Sequence, residues 1–389
     1  MIHITEKAKC SGCYACAEKC PKKCITMVSD EEGFWYPQVD ASACIECGLC
    51  EKICPILSHV TPLEGERPIA YAARNKNESV RLHSSSGGIF FALASDILAQ
   101  GGAVFGAAFD ADFNVVHKCI ERIEDMPALQ GSKYVQSRIG DAYKQAESLL
   151  VQGKKVLFSG TPCQIEGLVA YLGKPYENLI TQDLICHGVP SPSVWQKYIA
   201  YRKSLADGAS VESVAFRNKK DGWTKFSLQM DFENGAVYRA TLDKDPMMQV
   251  FLKNLCLRPS CYDCSFKKLS RKSDITLADY WGIKSIHPDM DDDKGTSFVI
   301  IHSEKGRELF EKIRDKLDCV ETDLNVGVHH NISMIRSAPL PKKRSAFLRD
   351  VKSENFSACQ SKYCKKTFFA KCKSFAARVL RKARRLLKK

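Results

Sequence analysis

The sequence predicts an α+β and α/β protein with three parts: a small cysteine-rich N-terminal unit, a larger mixed-sheet α/β domain, and a basic helical C-terminal tail. Three observations favour this organisation. Cysteines recur at regular spacing within the first 57 residues, short apolar runs alternate with amphipathic segments from Ile69 onward, and lysine and arginine dominate residues 361–389. These patterns are typical of separate structural units along one chain.

Residues 1–57 contain two cysteine runs with the same spacing, C-x2-C-x2-C-x3-C-P. The cysteines are Cys10, Cys13, Cys16 and Cys20 in the first run, and Cys44, Cys47, Cys50 and Cys54 in the second. This doubled spacing is typical of a two-cluster ferredoxin-like domain, in which the fourth cysteine of each run binds the 4Fe-4S cluster of the other run.

We therefore assign one 4Fe-4S cluster to the first three cysteines of run one with Cys54, and a second to the first three cysteines of run two with Cys20. A zinc ribbon also uses C-x2-C pairs, but two pairs suffice for one tetrahedral zinc, whereas here a four-cysteine run occurs twice. Cys24 falls outside the pattern and is expected to be a small packed core residue.

Composition sets limits on the class of protein. With 389 residues, 44% of them hydrophobic, the chain is long enough for two or three domains. Its 19 cysteines would suggest disulfides in a secreted protein, but the N-terminus shows no apolar signal stretch and cluster ligands must be reduced. We expect a cytoplasmic protein without a membrane-spanning segment, because no uncharged apolar run is long enough.

The net charge of +13 is concentrated in the tail. Residues 361–389 contain twelve lysines and arginines and no acidic residue, so the remainder of the chain is nearly neutral. A nucleic-acid-binding domain would be expected to spread its positive charge over a folded face, so we expect no nucleic-acid partner. The tail alternates apolar and basic residues at helical spacing. It predicts a basic amphipathic helix that either contacts a membrane surface peripherally, at the inner face, or docks on its own domain.

After the N-terminal unit, residues 58–68 are typical of a linker, with two prolines and a glycine. From residue 69 to about 325, predicted strands alternate with predicted helices, which indicates an α/β layer architecture. Within this region, residues 213–241 predict antiparallel strands with turns at 220–222 and 233–235. Residues 326–360 form a C-terminal extension before the tail.

A second set of cysteines lies in the larger domain. Cys261 and Cys264 form a C-x2-C pair, Cys256 precedes them by five residues, and Cys163 and Cys186 each follow a predicted strand. Ligands collect where the strands of an α/β sheet end, so these thiols could converge on a third 4Fe-4S cluster. Spacing alone leaves zinc binding and inert buried cysteines open, and it leaves Cys163, Cys186 and Cys256 competing to complete the set.

Two glycine-containing segments precede predicted helices. Ser86, Gly87 and Gly88 come before one helix, and Gly160 and Thr161 before the next. Small residues at a helix start can let backbone N–H groups approach a phosphate, although such segments are also everyday capping structure. His187, beside Cys186, is a weak candidate for proton transfer, with a packing role favoured.

Several sequence blocks together carry a resemblance. They are HSSSGGIFFALASDILAQGGAVFGAAFD, GSKYVQS, KVLFSGTPCQIEGL, DLICHGVPS, RPSCYDCSF and SDITLADYWGI, in this order. In these blocks the chain resembles the coenzyme F-420 hydrogenase/dehydrogenase beta-subunit family with an N-terminal two-cluster ferredoxin extension, over roughly residues 1–320.

The resemblance implies FAD as a cofactor and an additional 4Fe-4S cluster in the larger domain. It implies that Cys163, Cys186, Cys261 and Cys264 bind this cluster. It also implies that three segments line the flavin, namely Ser86–Gly88, Gly131–Tyr134 with Ser132, Lys133 and Tyr134, and Gly160–Thr161.

The expected function is that of an iron–sulfur flavoprotein oxidoreductase. It would pass electrons between a redox partner protein, such as a ferredoxin or an oxidoreductase subunit, and FAD, and act on a deazaflavin or another small-molecule substrate, with surface-polysaccharide metabolism as one setting that the resemblance suggests. A flavin would convert the single electrons of clusters into two-electron chemistry. The alternative is a non-catalytic electron-transfer adaptor that feeds a partner enzyme.

Overall fold

The N-terminal unit consists of two short helices around a β-hairpin. The computed structural model of the chain describes residues 1–57 and 67–364. In the first range the elements are α1 (Ala15–Glu18), β1 (Ile25–Ser29), β2 (Trp35–Val39) and α2 (Leu49–Lys52). β1 and β2 pair antiparallel, so the insert between the two cysteine runs forms a hairpin.

The two cysteine runs adopt the same backbone conformation. Tyr14 and Gly48 follow the second cysteine of their runs and begin α1 and α2 with φ of 70° and 68°. Left-handed conformations of this kind turn the chain sharply, and they are costly for a residue with a side chain. The repeated sequence pattern therefore corresponds to a repeated loop geometry.

An eight-stranded mixed sheet forms the centre of the larger domain. Its strands are β3 (Ile69–Asn75), β4 (Ala103–Phe109), β5 (Val115–Ile120), β6 (Val156–Gly160), β7 (Leu179–Leu184), β11 (Ile275–Asp279), β12 (Ser297–Ile301) and β13 (Leu317–Glu321). They lie in the order β13-β3-β12-β11-β7-β6-β4-β5. A separate antiparallel sheet contains β8 (Val211–Asn218), β9 (Ser227–Phe232) and β10 (Val237–Thr241).

Helices connect and cover these sheets. They are α3 (Glu78–His83), α4 (Ile89–Ala99), α5 (Met126–Leu129), α6 (Ala142–Val151), α7 (Pro162–Leu172), α8 (Pro192–Ser204), α9 (Pro246–Leu252), α10 (Ile283–Ile286), α11 (Glu304–Lys312), α12 (Leu324–His330), α13 (Arg344–Ser353) and α14 (Phe356–Cys364). The α/β class predicted from the alternation is confirmed.

Several strands of the large sheet end at the same edge. β4, β6, β7 and β11 run parallel, and β3 shares their direction because it pairs antiparallel with β12, which pairs antiparallel with β11. Their carboxyl ends therefore meet at one edge, where ligands collect in open α/β sheets.

The N-terminal unit packs on one face of this sheet. Tyr14 and Ala15 of α1 share an apolar cluster with Phe105 and Phe158 of the sheet and with residues of α6 and α7. The opposite face is covered by α4 and α11, which pack against Val104 and Leu157. Alternate residues of β4 thus face different layers, as the two-residue period of a strand requires.

The small sheet is held by a helical cluster of α8, α9, α13 and α14. Asp245 is fully buried at the start of α9, where its carboxylate accepts a hydrogen bond from the Met248 N–H at 2.7 Å. The same carboxylate accepts hydrogen bonds from the hydroxyls of Tyr238, at 2.9 Å, and Tyr198. Asp245 therefore joins the small sheet to two helices.

Substituting Asp245→Ala should lower the free energy of unfolding by about 3 kcal/mol, because it removes the helix cap and leaves two buried hydroxyls without an acceptor. Asp245→Asn keeps an oxygen at the cap and should lose about 1 kcal/mol. Anoxic urea unfolding of both variants measures the difference. An alanine variant as stable as the asparagine variant would contradict this account of the cluster.

Several predicted boundaries can be compared with the described residues. The boundary predicted at 325 falls within α12, and the tail predicted from residue 361 begins inside α14, which packs on α9. Most of the predicted linker, residues 58–66, and the predicted basic helix beyond Cys364 lie outside the described residues. Within the described ranges, no helix has the length and apolar character that crossing a bilayer requires.

Candidate functional site

The first cysteine group joins both cysteine runs. Cys10 and Cys13 lie on the loop that leads into α1, Cys16 lies within α1, and Cys54 follows α2. Burial is the main cause that raises the pKa of the Cys13 thiol to about 12, and the neighbouring sulfurs of Cys10 and Cys54 add to it. Such thiols become thiolates when a bound cation offsets their charge. The four cysteines assigned to one cluster by spacing thus lie together.

The second cysteine group lies closer to the surface. One cavity is lined by Cys20 from the first run and by Cys44, Cys47 and Cys50 from the second. The Ile2 N–H donates a hydrogen bond to Cys50 Sγ at 3.3 Å. Cys24 is buried in the adjacent apolar cluster, as expected, and its sulfur is 3.4 Å from Cys20 Sγ.

A third cysteine group lies where the strands of the large sheet end. Cys163 is in the first turn of α7, directly after β6, and Cys186 follows β7. Together with Cys261 and Cys264 they line one cavity. Burial raises the pKa of the Cys163 thiol well above its ordinary value, and the sulfurs of Cys264, Cys186 and Cys261 raise it further.

The charged residues that line the third cavity are three basic side chains and one acidic side chain, that of Asp263. Arg258, Lys267 and Arg271 line it together with the four cysteines. The Lys267 ammonium donates hydrogen bonds to the carbonyl oxygens of Cys186 and, at 2.7 Å, Ser333. Thiolate-ligated iron clusters are anionic, so cationic walls fit such a cluster in charge.

The spacing of the cysteines also bears on the metal they suit. In the described residues, no three histidine, cysteine, aspartate or glutamate side chains come close enough to share a single ion. Each thiolate of a 4Fe-4S cubane binds a different iron, so its ligands stand farther apart than the four ligands of one tetrahedral zinc.

Cys256 does not join the third group. It is fully buried in the helical cluster that holds the small sheet, and its carbonyl oxygen accepts a hydrogen bond from the Ser191 N–H at 2.8 Å. Burial raises the pKa of its thiol to about 12, and the neighbouring sulfur that contributes is Cys364. Of the residues that competed to complete the set, Cys163 and Cys186 reach the cavity and Cys256 does not.

The Ser86–Gly88 segment packs tightly against the large sheet. A side chain at Gly87 would place a Cβ 2.4 Å from the Ala73 carbonyl oxygen and 2.8 Å from the Ser297 nitrogen. Gly88 begins α4 with φ of 80°. The local backbone therefore explains why glycine occupies both positions, whether or not this segment makes the predicted phosphate contact.

The second predicted flavin segment, Gly131–Tyr134, contacts Ser85, the residue that precedes the first segment. The N–H of Ser132 donates a hydrogen bond to Ser85 Oγ at 2.6 Å. Next to it, Lys133 is half-buried, and desolvation lowers the pKa of its ammonium to about 7. Tyr134 stacks on Phe251 with ring centres 4.9 Å apart. Two of the three predicted segments thus lie side by side.

The third predicted flavin segment borders the third cysteine group. Gly160 ends β6 and Thr161 caps α7, where the Thr161 N–H donates to Gln164 Oε1 at 2.9 Å. Thr161 Oγ lies 3.1 Å from Cys163 Sγ. This segment is therefore a helix cap that adjoins a cysteine of the third group.

His187 lines the third cavity but is held by neighbours. Its Nε2 lies 2.6 Å from Asn254 Oδ1, and its ring meets Phe251 edge-on at 5.3 Å. Burial lowers the pKa of the imidazole. These contacts match the packing role that the sequence favoured over proton transfer.

Two buried cations at the same sheet edge were not predicted from the sequence. Arg217 makes a two-pronged ion pair with Asp279 at the end of β11, with N–O distances of 2.6 and 3.1 Å. The ammonium of Lys219 donates hydrogen bonds of 2.7 Å to three carbonyl oxygens, including that of Ser86. Arg217 ends a predicted strand and Lys219 follows β8, and nothing in the local sequence pattern distinguishes either residue from an exposed cation.

The first and third cysteine groups adjoin each other across the contact between the two units. A Cβ at Gly167 of α7 would lie 3.2 Å from Cys13 Sγ. The sulfurs of Cys13 and Cys163 both contribute to raising the pKa of Tyr143, whose hydroxyl donates to the Gln164 carbonyl oxygen at 2.7 Å. Residues Ala8, Ser11 and Ile56 of the N-terminal unit also line the third cavity.

Comparisons with known proteins match the two units separately. Residues 9–56 match the 4Fe-4S dicluster domain, and residues 153–325 match the family described as the C terminus of the coenzyme F420 hydrogenase/dehydrogenase beta subunit. A chain of the F420-reducing NiFe hydrogenase complex from Methanosarcina barkeri is similar with a TM-score of 0.47 and 18% identity, over 74% of this chain and 92% of that one.

Curated relatives match short stretches of the chain. NADH-quinone oxidoreductase subunit I 2 of Geobacter metallireducens is 44% identical over 55 residues, which are 13% of this chain and 42% of that protein. An uncharacterised ferredoxin of Methanocaldococcus jannaschii is 36% identical over 52 residues, 13% of this chain and 66% of its own length. The chain thus spans less than half of the first of these relatives.

Proposed function

We propose that this chain is an FAD-dependent iron–sulfur oxidoreductase, because residues 153–325 match the coenzyme F420 hydrogenase/dehydrogenase beta-subunit family and residues 9–56 match the 4Fe-4S dicluster domain. It would take single electrons from a redox partner protein through three clusters and deliver them in pairs to a small-molecule substrate. A deazaflavin is the substrate class that the family name suggests. The thiolate ligands require a reducing compartment, for which we propose the cytoplasm.

One observation carries the proposal. Four cysteines from separate parts of the larger domain converge on a cavity with three cationic side chains, and residues of the ferredoxin-like unit line the same cavity. Isolated structural cysteines have no need of such convergence. Arg258 in this wall is fully buried and hydrogen-bonds only to neutral groups, which is costly unless negative charge faces it. The arrangement fits a third cluster held by Cys163, Cys186, Cys261 and Cys264, next to the first.

The flavin part of the proposal rests on the sheet edge beyond the third group. When bound, FAD would accept electrons singly from a cluster and release them in pairs. Lys133, Lys219 and Arg217 bring three basic side chains to the side-by-side segments at Ser86 and Ser132, of which Lys133 is half-buried and Arg217 is paired with Asp279. These charges suit an anionic pyrophosphate, and the stacked Tyr134 and Phe251 give the site rigid aromatic walls.

Turnover by the isolated chain distinguishes the proposed enzyme from the alternative, a non-catalytic electron-transfer adaptor. With reduced ferredoxin as donor, the anoxic chain alone should reduce a deazaflavin or a comparable two-electron acceptor, and its flavin absorbance should bleach before the acceptor is consumed. Cys256→Ser, which lies outside the cavity, is the matched control and should keep the rate. If flavin is absent and turnover requires a second protein, the adaptor is correct.

A further inference from the structure

Arg258 is a fully buried arginine between the ferredoxin-like unit and the third cysteine group. Its Nε donates a hydrogen bond of 2.8 Å to the carbonyl oxygen of Cys10, a member of the first group. Its side chain also lines the third cavity, and its carbonyl oxygen accepts the Cys261 N–H at 2.9 Å. One guanidinium thus contacts the surroundings of both groups.

The partners of Arg258 are all neutral. Besides Cys10, it donates to Gln136 Oε1 at 3.1 Å and to the Trp35 carbonyl oxygen at 3.0 Å. Five arginines are buried in the part of the chain that the structure describes. The other four pair with carboxylates, in the pairs Arg81–Asp292, Arg217–Asp279, Arg271–Asp183 and Arg344–Glu32.

A buried guanidinium without a counter-charge is unfavourable, and it cannot escape by losing its proton. The position is also fixed. The Tyr36 ring centre lies 4.3 Å from the guanidinium carbon, and a Cβ at Gly12 would lie 2.9 Å from Nη1. The negative charge opposite the guanidinium must therefore come from the clusters that the flanking cysteines are proposed to bind.

We propose that Arg258 is the shared counter-charge of the first and third clusters and stabilises the reduced form of each. This inference rests on the proposed third cluster. Reduction adds one negative charge to a cluster, and a fixed nearby cation favours that state by Coulomb attraction in a buried setting. Whichever of the two clusters carries the transferred electron would face the same fixed guanidinium.

Anoxic redox titration of Arg258→Gln, followed by electron paramagnetic resonance, tests the proposal. At a fixed potential the reduced-to-oxidised ratio of the first and third clusters should fall at least tenfold, a shift of about 59 mV for one electron. The second cluster should keep its potential, and Arg258→Lys should largely restore the other two. Arg344→Gln, which loosens the same contact between the units but removes a paired charge, is the control.

A second variant keeps the proposal testable if Arg258→Gln does not assemble its clusters. Gln136→Glu leaves Arg258 in place and sets a carboxylate against its guanidinium, so it should lower the same two potentials. Unchanged potentials in Arg258→Gln or Gln136→Glu overturn the role of Arg258, as does an equal shift in the Arg344→Gln control. A wild-type chain with only about eight iron atoms instead overturns the third cluster, and with it the proposed function.

Discussion

Substituting Cys264→Ser should remove about four iron atoms per chain while the two clusters of the ferredoxin-like unit remain. Cys264 lines the third cavity with three other cysteines, and its N–H donates to Ser337 Oγ at 2.9 Å, which fixes its position. A serine hydroxyl is a poor replacement for a thiolate toward iron. Reduction of the flavin by reduced ferredoxin should fall to background, because the step between the first cluster and the flavin is lost.

The matched control is Cys256→Ser. Cys256 is as buried as any cysteine in the described residues and belongs to the same stretch of sequence, but it packs in the helical cluster away from the cavity. This variant should keep its iron content and its rate of flavin reduction. Iron analysis and stopped-flow absorbance measure both quantities. Iron loss from Cys256→Ser, with retention in Cys264→Ser, would show that the wrong cysteine completes the third group.

Substituting Cys54→Ser should remove the cluster held by the first cysteine run, although Cys54 belongs to the second run. Cys54 lies near Cys10 and Cys13, since both Cys10 and Cys54 add to the effect of burial on the pKa of Cys13; the pKa of Cys54 itself is raised by burial and by the sulfurs of Cys10 and Cys50. The cluster bound by Cys44, Cys47, Cys50 and Cys20 should persist, but electrons entering there should no longer reach the third group. Ferredoxin-driven flavin reduction should therefore stop.

Comparison of single variants by electron paramagnetic resonance tests this crossed arrangement. Cys54→Ser should leave the same residual spectrum as Cys10→Ser, and Cys20→Ser should leave the complementary one. Cys24→Ser is the control, because Cys24 adjoins the second group without belonging to the predicted ligand set. If Cys54→Ser instead matched Cys44→Ser, each run would hold its own cluster.

The sequence could predict what local spacing determines. The doubled cysteine run placed Cys54 with the first group and Cys20 with the second, because a short loop around a cluster leaves few ways to arrange its thiols. The alternation of apolar runs likewise predicted β3, β4, β6, β7 and the helices between them. In both cases the information lies within a few residues of the feature it predicts.

What depends on distant contacts could not be predicted in the same way. Cys256 and Cys261 are five residues apart, yet one faces the helical cluster and the other the cavity. Arg258 and Gly87 owe their roles to Cys10 and Ser297, which are far away in the sequence. A single sequence gives the chemistry of such residues but not their neighbours.

Anoxic reductive titration of the wild-type chain tests the central claim most directly, because it counts the electrons that the assembled chain accepts. Three clusters that take one electron each and a flavin that takes two predict about five electrons per chain. About three electrons, without bleaching of a flavin band, would support the adaptor. About two would show that only the ferredoxin-like unit holds clusters and would contradict the proposed route from the first cysteine group to the sheet edge.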